Sequence, residues 1–560
     1  MDWVQIYDPF GSPFWSTLMA MLPTVALLGL LTAGFAAPRS ALLGLLTALG
    51  VAIWGYGMPA SAALAATFYG AVFGLLPIGW IVVAAVFLFH LTVKTGQFEV
   101  VKHSVAALSP DRRVQALLIA FCFGTFIEGA AGFGTPVAIC AALMIGLGFS
   151  PLYAAGLALI ANTSPVAFGA LGTPIITLAK VSGLDEMALS QMAGRQLPFF
   201  SLIVPAWLVA TMSGWRGVVG CWPAIVVCGG TFAALQFVIS NFHGPALVDV
   251  VGGLGSMVAL AVLLRFWQPP VLWRFPDEPA ESTAAAQTFT RRQVMTAWMP
   301  WIFLSLFVFL WGWPPIKTAL NGGTSDKPNV LAGYTKWSFP MPGLHQRIYR
   351  TAPVAPVPVG SDRAAESEKA ILEIPWLGTT GTGIFLAAIL TGLWLRIPVK
   401  EFIAQFRRTL WEMRWALFTI AAMLALAFTT KYSGADATLG LAFTHTGALY
   451  PFFAPLLGWL GVALTGSDTS SNALFGSLQR ITAEQLGLNP ILIVASNSTG
   501  GVMGKMIDAQ SIVVAAVATE QTGGEGQILR FVFLHSVVLA VLVGALTLAQ
   551  AYVLTWMIPG

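Results

Sequence analysis

Two carboxylic acids, Glu128 and Asp468, stand in short polar, glycine-rich passages of a chain that is otherwise almost continuously apolar. The first passage is Glu128-Gly129-Ala130-Ala131-Gly132-Phe133-Gly134-Thr135-Pro136, and the second is Thr465-Gly466-Ser467-Asp468-Thr469-Ser470-Ser471-Asn472. Each is followed by another polar break in an apolar run, Asn162-Thr163-Ser164-Pro165 after the first and Ser496-Asn497-Ser498-Thr499-Gly500-Gly501 after the second. Helix ends that meet inside a membrane offer unsatisfied N–H groups and a partial positive charge, which suits an anionic headgroup such as a carboxylate. Hydroxyl and amide side chains beside such ends supply donors that can read a substrate hydroxyl. Asn162, Thr163, Ser164, Ser496, Asn497, Ser498 and Thr499 fit that binding role, with Ser467, Thr469, Ser470, Ser471 and Asn472 at the opposing tip. The plainer alternative is that these groups only cap broken helices or hold helices together.

An ionisable group at membrane depth is costly enough to mark function, and a carboxyl held out of water is suited to carrying a proton. Glu128 and Asp468 are therefore the candidate proton-coupling groups, the alternative being a structural ion pair with, for instance, Lys505. Lys505 is the one cation inside a candidate broken helix; it either attracts a substrate carboxylate or neutralises Asp508 or Asp468. Arg195, at a helix entrance, reads as an interfacial anchor, and His445 as a hydrogen-bonded residue rather than a proton shuttle.

These residues need a scaffold, and composition says what kind. Of the 560 residues, 57% are hydrophobic and only 9% charged, against about 25% charged in soluble proteins. Period-2 alternation is absent, so an all-α integral membrane protein is expected rather than a barrel. The N-terminus, with Asp2 and no basic region ahead of the first apolar run, does not read as a removable signal. Cys122, Cys140, Cys221 and Cys228 lie in apolar segments without CxxC spacing and read as packing, so no metal or cofactor is expected. The formal charge of +4 comes from clusters between helices, which implies no nucleic-acid partner. Gly500-Gly501-Val502-Met503-Gly504-Lys505-Met506 is one residue short of a phosphate loop and lacks Ser or Thr after the lysine, and no hydrolase motif occurs, so the chain does not read as an enzyme.

Basic residues gather at Lys94 to Arg113, Arg265 to Arg292 and Arg396 to Arg414, which places those loops in the cytoplasm. Threading between them gives about 12 transmembrane helices, near 14–36, 40–57, 62–92, 152–179, 197–213, 217–240, 248–266, 295–313, 376–395, 415–432, 488–518 and 530–557, with both termini and a proline-rich loop at 313–375 outside. Segments 114–150 and 453–486 remain, each with two short apolar arms around a polar tip. Arms of about 15 residues fall short of a hydrocarbon core about 30 Å thick, so two re-entrant helical hairpins are expected. Each is followed by a broken helix, 152–179 and 488–518, and Gly146-Leu147-Gly148-Phe149-Ser150-Pro151 echoes Gln485-Leu486-Gly487-Leu488-Asn489-Pro490. The first hairpin enters from the cytoplasm and the second from outside, as in an inverted repeat whose broken helices hold the transport site.

The chain resembles the bacterial L-lactate permease family, which belongs to the ion-transporter superfamily. The resemblance rests on Lys94-Thr95-Gly96-Gln97-Phe98, on Phe121 to Gly134, on Leu464 to Phe475, and on the C-terminal Gln550-Ala551-Tyr552-Val553-Leu554-Thr555-Trp556-Met557-Ile558-Pro559. It implies a proton-coupled symporter of the bacterial inner membrane that imports L-lactate, and in some members D-lactate and glycolate. A sodium-coupled carboxylate or sugar-acid symporter is the alternative. Likeness of the polar breaks to the wider superfamily suggests an elevator mechanism and, by analogy, a homodimer in the lipid bilayer. The expected division is scaffold helices at 1–113, 214–312 and 376–452, transport repeats at 114–213 and 453–528, the external loop at 313–375 and a last helix at 529–560. One departure is Asp508-Ala509 where a Ser-Pro pair is expected after Ile507.

Overall fold

The computed structural model describes residues 2–33, 35–106, 108–130, 132, 135–275, 289–323, 327–354, 366–521 and 524–560. Among them, nine helices are long and apolar enough to cross a membrane, or ten when the bent pair Pro151–Ala161 and Val166–Ser182 counts as one. The expectation of about 12 is lowered because the apolar helix Thr380–Trp394 is shorter than a full span, and because Pro490–Gly504 and Ala509–Ala518 are separate helices. The expected division between 197–213 and 217–240 appears inside one helical run, Glu186–Phe242, which reverses at Gly214 (φ 65°, ψ −174°). Glycine tolerates that backbone where another residue would be strained.

The polar passages form the centre. A first hairpin pairs Arg112–Ala130 with Thr135–Gly146, and Cys140 Sγ donates to Ile119 O across it at 3.1 Å. A second pairs Tyr450–Thr465 with Asp468–Gln485, closed by Ser471 Oγ donating to Gly458 O at 3.1 Å. After the first comes Pro151–Ala161, then an irregular stretch, then Gly169–Ser182, bent by 61°. After the second come Pro490–Gly504 and Ala509–Ala518. The order of elements is therefore repeated. The arms are unequal, however, and the 19-residue Arg112–Ala130 is long enough to pass as a span, so the length argument for re-entry does not apply to it. That segment is also 100% buried within the protein, so its polar groups face protein rather than lipid.

The long helix Val399–Ser433 joins the two ends of the bundle. Near its start Glu401 pairs with Lys94 at 3.0 Å. At the same end Asp111 accepts from Trp273 N at 3.0 Å, so the three basic segments lie together. Near its finish the carbonyls of Lys431 and Tyr432 accept from Gln5, about 45 Å away along the axis. There the 313–375 segment departs from a purely helical fold. Trp3–Val4 pairs in parallel with Ile348–Arg350, which pairs with Glu366–Ser367, and Trp337–Pro340 pairs antiparallel with Ile371–Ile374. The β-branched and aromatic residues of these runs favour strands, and the result is a small β-cap over the helix ends.

Candidate functional site

The two hairpin tips and the segments that follow the two breaks converge on a cleft of about 70 Å³ lined by Glu128, Gly169, Ser467, Asp468, Thr469 and Lys505, with Val166, Ala170, Pro174 and Gly466 completing the wall. It is far smaller than a drug-sized pocket of about 300 Å³ or more, yet has room for a few waters or a solute of that bulk. Gly132 of the first tip packs on Ala170; Ala131, Phe133 and Gly134, also expected there, lie outside the described residues. The break before Pro174 places Ala170 and Leu171 in the left-handed region (φ 44° and 57°). That conformation costs about 1–2 kcal/mol per non-glycine residue, and it turns the end of Gly169–Ser182 into the cleft.

Glu128 is 5% exposed and Asp468 3%, and each keeps one oxygen, Glu128 Oε2 and Asp468 Oδ1, without a hydrogen bond. Two glycines make room for them. A Cβ at Gly169 would lie 2.6 Å from Glu128 Oε1, and one at Gly501 would lie 2.3 Å from Asp468 Oδ1. Each acid thus sits against a glycine of the break that follows its own hairpin. Asn162 lies beside Glu128 with neither amide atom hydrogen-bonded.

Asp468 is held by a polar spine. Its Oδ2 accepts from Ser498 Oγ and from Asn472 Nδ2. Asn472 Oδ1 accepts from Asn497 Nδ2 at 2.9 Å, Asn497 Oδ1 from Gln479 Nε2 at 3.1 Å, and Gln479 Oε1 from Tyr450 OH at 2.7 Å. Asn472 Nδ2 also donates to Pro174 O at 3.1 Å, which ties the spine to the first repeat. Lys505 donates to Gly466 O at 2.6 Å and pairs with Asp508 at 3.2 Å. Asp508 Oδ1 caps the next helix by accepting from Ser511 N at 2.7 Å. The unexpected acid is therefore a partner for Lys505 and a helix cap at once.

The other expected residues are spread around this centre. Thr163 and Ser496 bond carbonyls of their own helices, Ile160 and Ile493. Ser467 caps its helix by accepting from Ser470 N, and Ser471 bonds Gly458. Thr499 donates to Gln196 Oε1 at 2.7 Å, and Ser164 Oγ is buried without a partner. Arg195 bonds Asn241 and Met557 O, away from the cleft, and His445 lies at the periphery beside Tyr7 and Phe14. Sequence reasoning passed over Asp249, fully buried at the start of Val248–Phe266, with both carboxyl oxygens unpartnered. It lies within electrostatic reach of Glu128, with Gly129 packed on its Cβ. A lone acid opening an apolar run was the available signal.

By charge alone the site is lopsided. Glu128, Asp468 and Asp508 surround one ammonium, that of Lys505. A carboxylate placed here would add a further negative group, and neutralising one of the acids would ease its binding.

The family model described as L-lactate permease matches residues 16–554. The L-lactate permease of Escherichia coli (strain K12) is 46% identical over 564 residues, covering 100% of both chains. Glycolate permease GlcA of the same strain is 44% identical over 573 residues, and the L-lactate permease of Bacillus subtilis (strain 168) 44% over 582, each again covering 100% of both chains. Among solved structures the YdaH transporter of Alcanivorax borkumensis gives a TM-score of 0.45 at 15% identity over 86% of each chain.

Proposed function

Because the chain belongs to the L-lactate permease family, we propose that it imports L-lactate, together with D-lactate and glycolate, across the bacterial inner membrane by proton symport. The observation that carries this reading is the cleft itself, in which two buried carboxyls, each with a free oxygen, share a small polar space with one ammonium. Lys505 and the N-terminal end of Asp468–Gln485 attract the substrate carboxylate. Ser467 and Thr469 meet its hydroxyl. Glu128 and Asp468 exchange the proton, and entry of one monocarboxylate with one proton is electroneutral. Asn472, Asn497, Ser498 and Gln479 hold Asp468 in place, while Asn162, Thr163, Ser164, Ser496 and Thr499 shape the walls behind.

In the same proposal, 114–213 and 453–528 are the transport repeats, with their hairpins re-entrant. They move as one body against the remaining helices in an elevator motion, and the protein is a homodimer. The repeated order of hairpin and break, with a glycine seating each acid, supports that division.

The test is uptake of labelled L-lactate into vesicles holding the purified protein, under an imposed inward proton gradient without sodium. Accumulation abolished by a protonophore is expected. Uptake that starts only when sodium is added would move the assignment to a sodium symporter, and uptake that merely equilibrates would move it to a passive pore.

A further inference from the structure

At the β-capped end of the bundle lies a second polar cavity, of about 470 Å³, lined by Lys180, Arg350, Lys369, Lys431, Arg480 and Glu368. Its five cations come from four separate stretches of chain: the end of Gly169–Ser182, the cap segment, the end of Val399–Ser433, and the second arm of the second hairpin. The lining has a formal excess of four positive charges, which falls to two when Glu484, paired with Arg480, and Asp436, within reach of Lys431, are counted.

Several of these cations are fixed in place by neutral groups. Lys431 Nζ donates to Val181 O at 2.9 Å, and Arg480 Nη1 to Ser182 O at 2.8 Å. Lys180 Nζ stands 5.0 Å from the centre of the Phe73 ring. Arg350 is paired with Glu368. The exposed Lys369 ammonium has no ion-pair partner among the described residues. A concave basic site with low-dielectric walls focuses potential and raises the local concentration of anions.

This cavity and the central cleft share two helices. Gly169–Ser182 lines the cleft with Gly169, Ala170 and Pro174 and the cavity with Ala179 and Lys180. Asp468–Gln485 lines the cleft with Asp468 and Thr469 and the cavity with Arg480. The two helices are joined at both levels, by Asn472 to Pro174 O and by Arg480 to Ser182 O. Eleven residues of helix separate Thr469 from Arg480, about 16 Å along the axis. The cavity lies at the end opposite the three basic segments, the end that the charge distribution assigns to the exterior.

We propose that the basic cavity is an outer capture site for the substrate's carboxylate, holding the anion about 16 Å from the cleft before it is bound there. The proposal rests on the monocarboxylate symport reading and deepens it. Its chemistry, recognition of a small anion by converging cations, is shared with an anionic lipid headgroup, and the experiment separates the two.

Initial rates of L-lactate uptake are measured in vesicles of neutral phosphatidylcholine, with the β-capped face outward, at low and high ionic strength. The wild-type KM is expected to rise with salt as the cavity's field is screened. Lys369→Gln is expected to raise KM at low salt about threefold, the effect of one charge about 7 Å away in water, and Lys369→Glu about tenfold, with the change falling on KM. At high salt the three proteins converge. A KM and salt dependence that do not respond to either substitution would overturn the proposal. An effect that appears only when phosphatidylglycerol is present would also overturn it, in favour of a lipid site. A wild type that takes up no lactate would overturn the symport reading and this one with it, a result distinct from an unchanged KM.

Discussion

Gly169→Ala isolates the position of the Glu128 carboxyl from its chemistry. Gly169 has φ −61° and ψ 161°, a conformation alanine adopts freely, so the backbone tolerates the change. The added methyl would sit 2.6 Å from Glu128 Oε1 and 3.1 Å from its Cγ, whereas a relaxed carbon–oxygen contact is about 3.3 Å. The carboxyl must therefore retreat by about 0.7 Å, and as the far end of a side chain it can do so with a stability loss toward the lower end of the 1–3 kcal/mol typical of overpacking. Displacement of a reacting group by about 1 Å costs up to about 100-fold in rate. Proton-driven lactate uptake is therefore expected to fall by about 10- to 100-fold, while the protein remains monodisperse and unfolds within a few degrees of wild type. Gly146→Ala, where nothing lies within 4 Å of the new methyl, is the control. Uptake by Gly169→Ala at the wild-type rate would refute the claim that Glu128 acts from its observed place.

Gly501→Ala makes the same test for Asp468, with a harsher clash at 2.3 Å and a second one on Val462 at 2.9 Å; uptake is expected to fall further and the unfolding temperature to drop measurably. Lys505→Met strands Asp508 in a fully buried place, which should cost about 3–5 kcal/mol in thermal unfolding. Asp508→Asn in the same chain should restore much of that, and additive effects would show that the pair is not coupled. Asn497→Ala removes the middle of the polar spine and leaves Asn472 Oδ1 without its donor; a loss of about 1–3 kcal/mol is expected, accompanied by slower uptake, and an unaltered uptake rate would remove the spine from Asp468's positioning.

Much of the site was legible because polar residues inside apolar runs have few innocent explanations. Glu128, Asp468, Lys505 and the Asn and Ser breaks all announced themselves in this way; the first three line one cleft, while the Asn and Ser side chains of the breaks lie outside its lining. What they meet through was not legible. Gly169 and Gly501 are two glycines among 57, and only the folded chain shows which ones leave space for a carboxyl. Asp249 opens an apolar helix and so resembles an ordinary loop-end acid until Gly129 is seen packed against it. The basic cavity gathers side chains from residues 180 to 480, a convergence that local periodicity does not encode. The β-cap was hidden by the proline-rich composition of its segment, although its short β-branched and aromatic runs pair once the N-terminal strand is brought alongside.

The most direct measurement of the central claim is the proton movement that accompanies lactate entry. L-lactate is added outside lightly buffered vesicles containing wild type, Glu128→Gln or Asp468→Asn protein, and external pH and internal label are followed together. External alkalinisation by one proton per lactate taken up is expected for the wild type, with loss of the proton signal in at least one of the two variants. Lactate entry without proton movement in the wild type, or full proton-coupled accumulation in both variants, would contradict that claim.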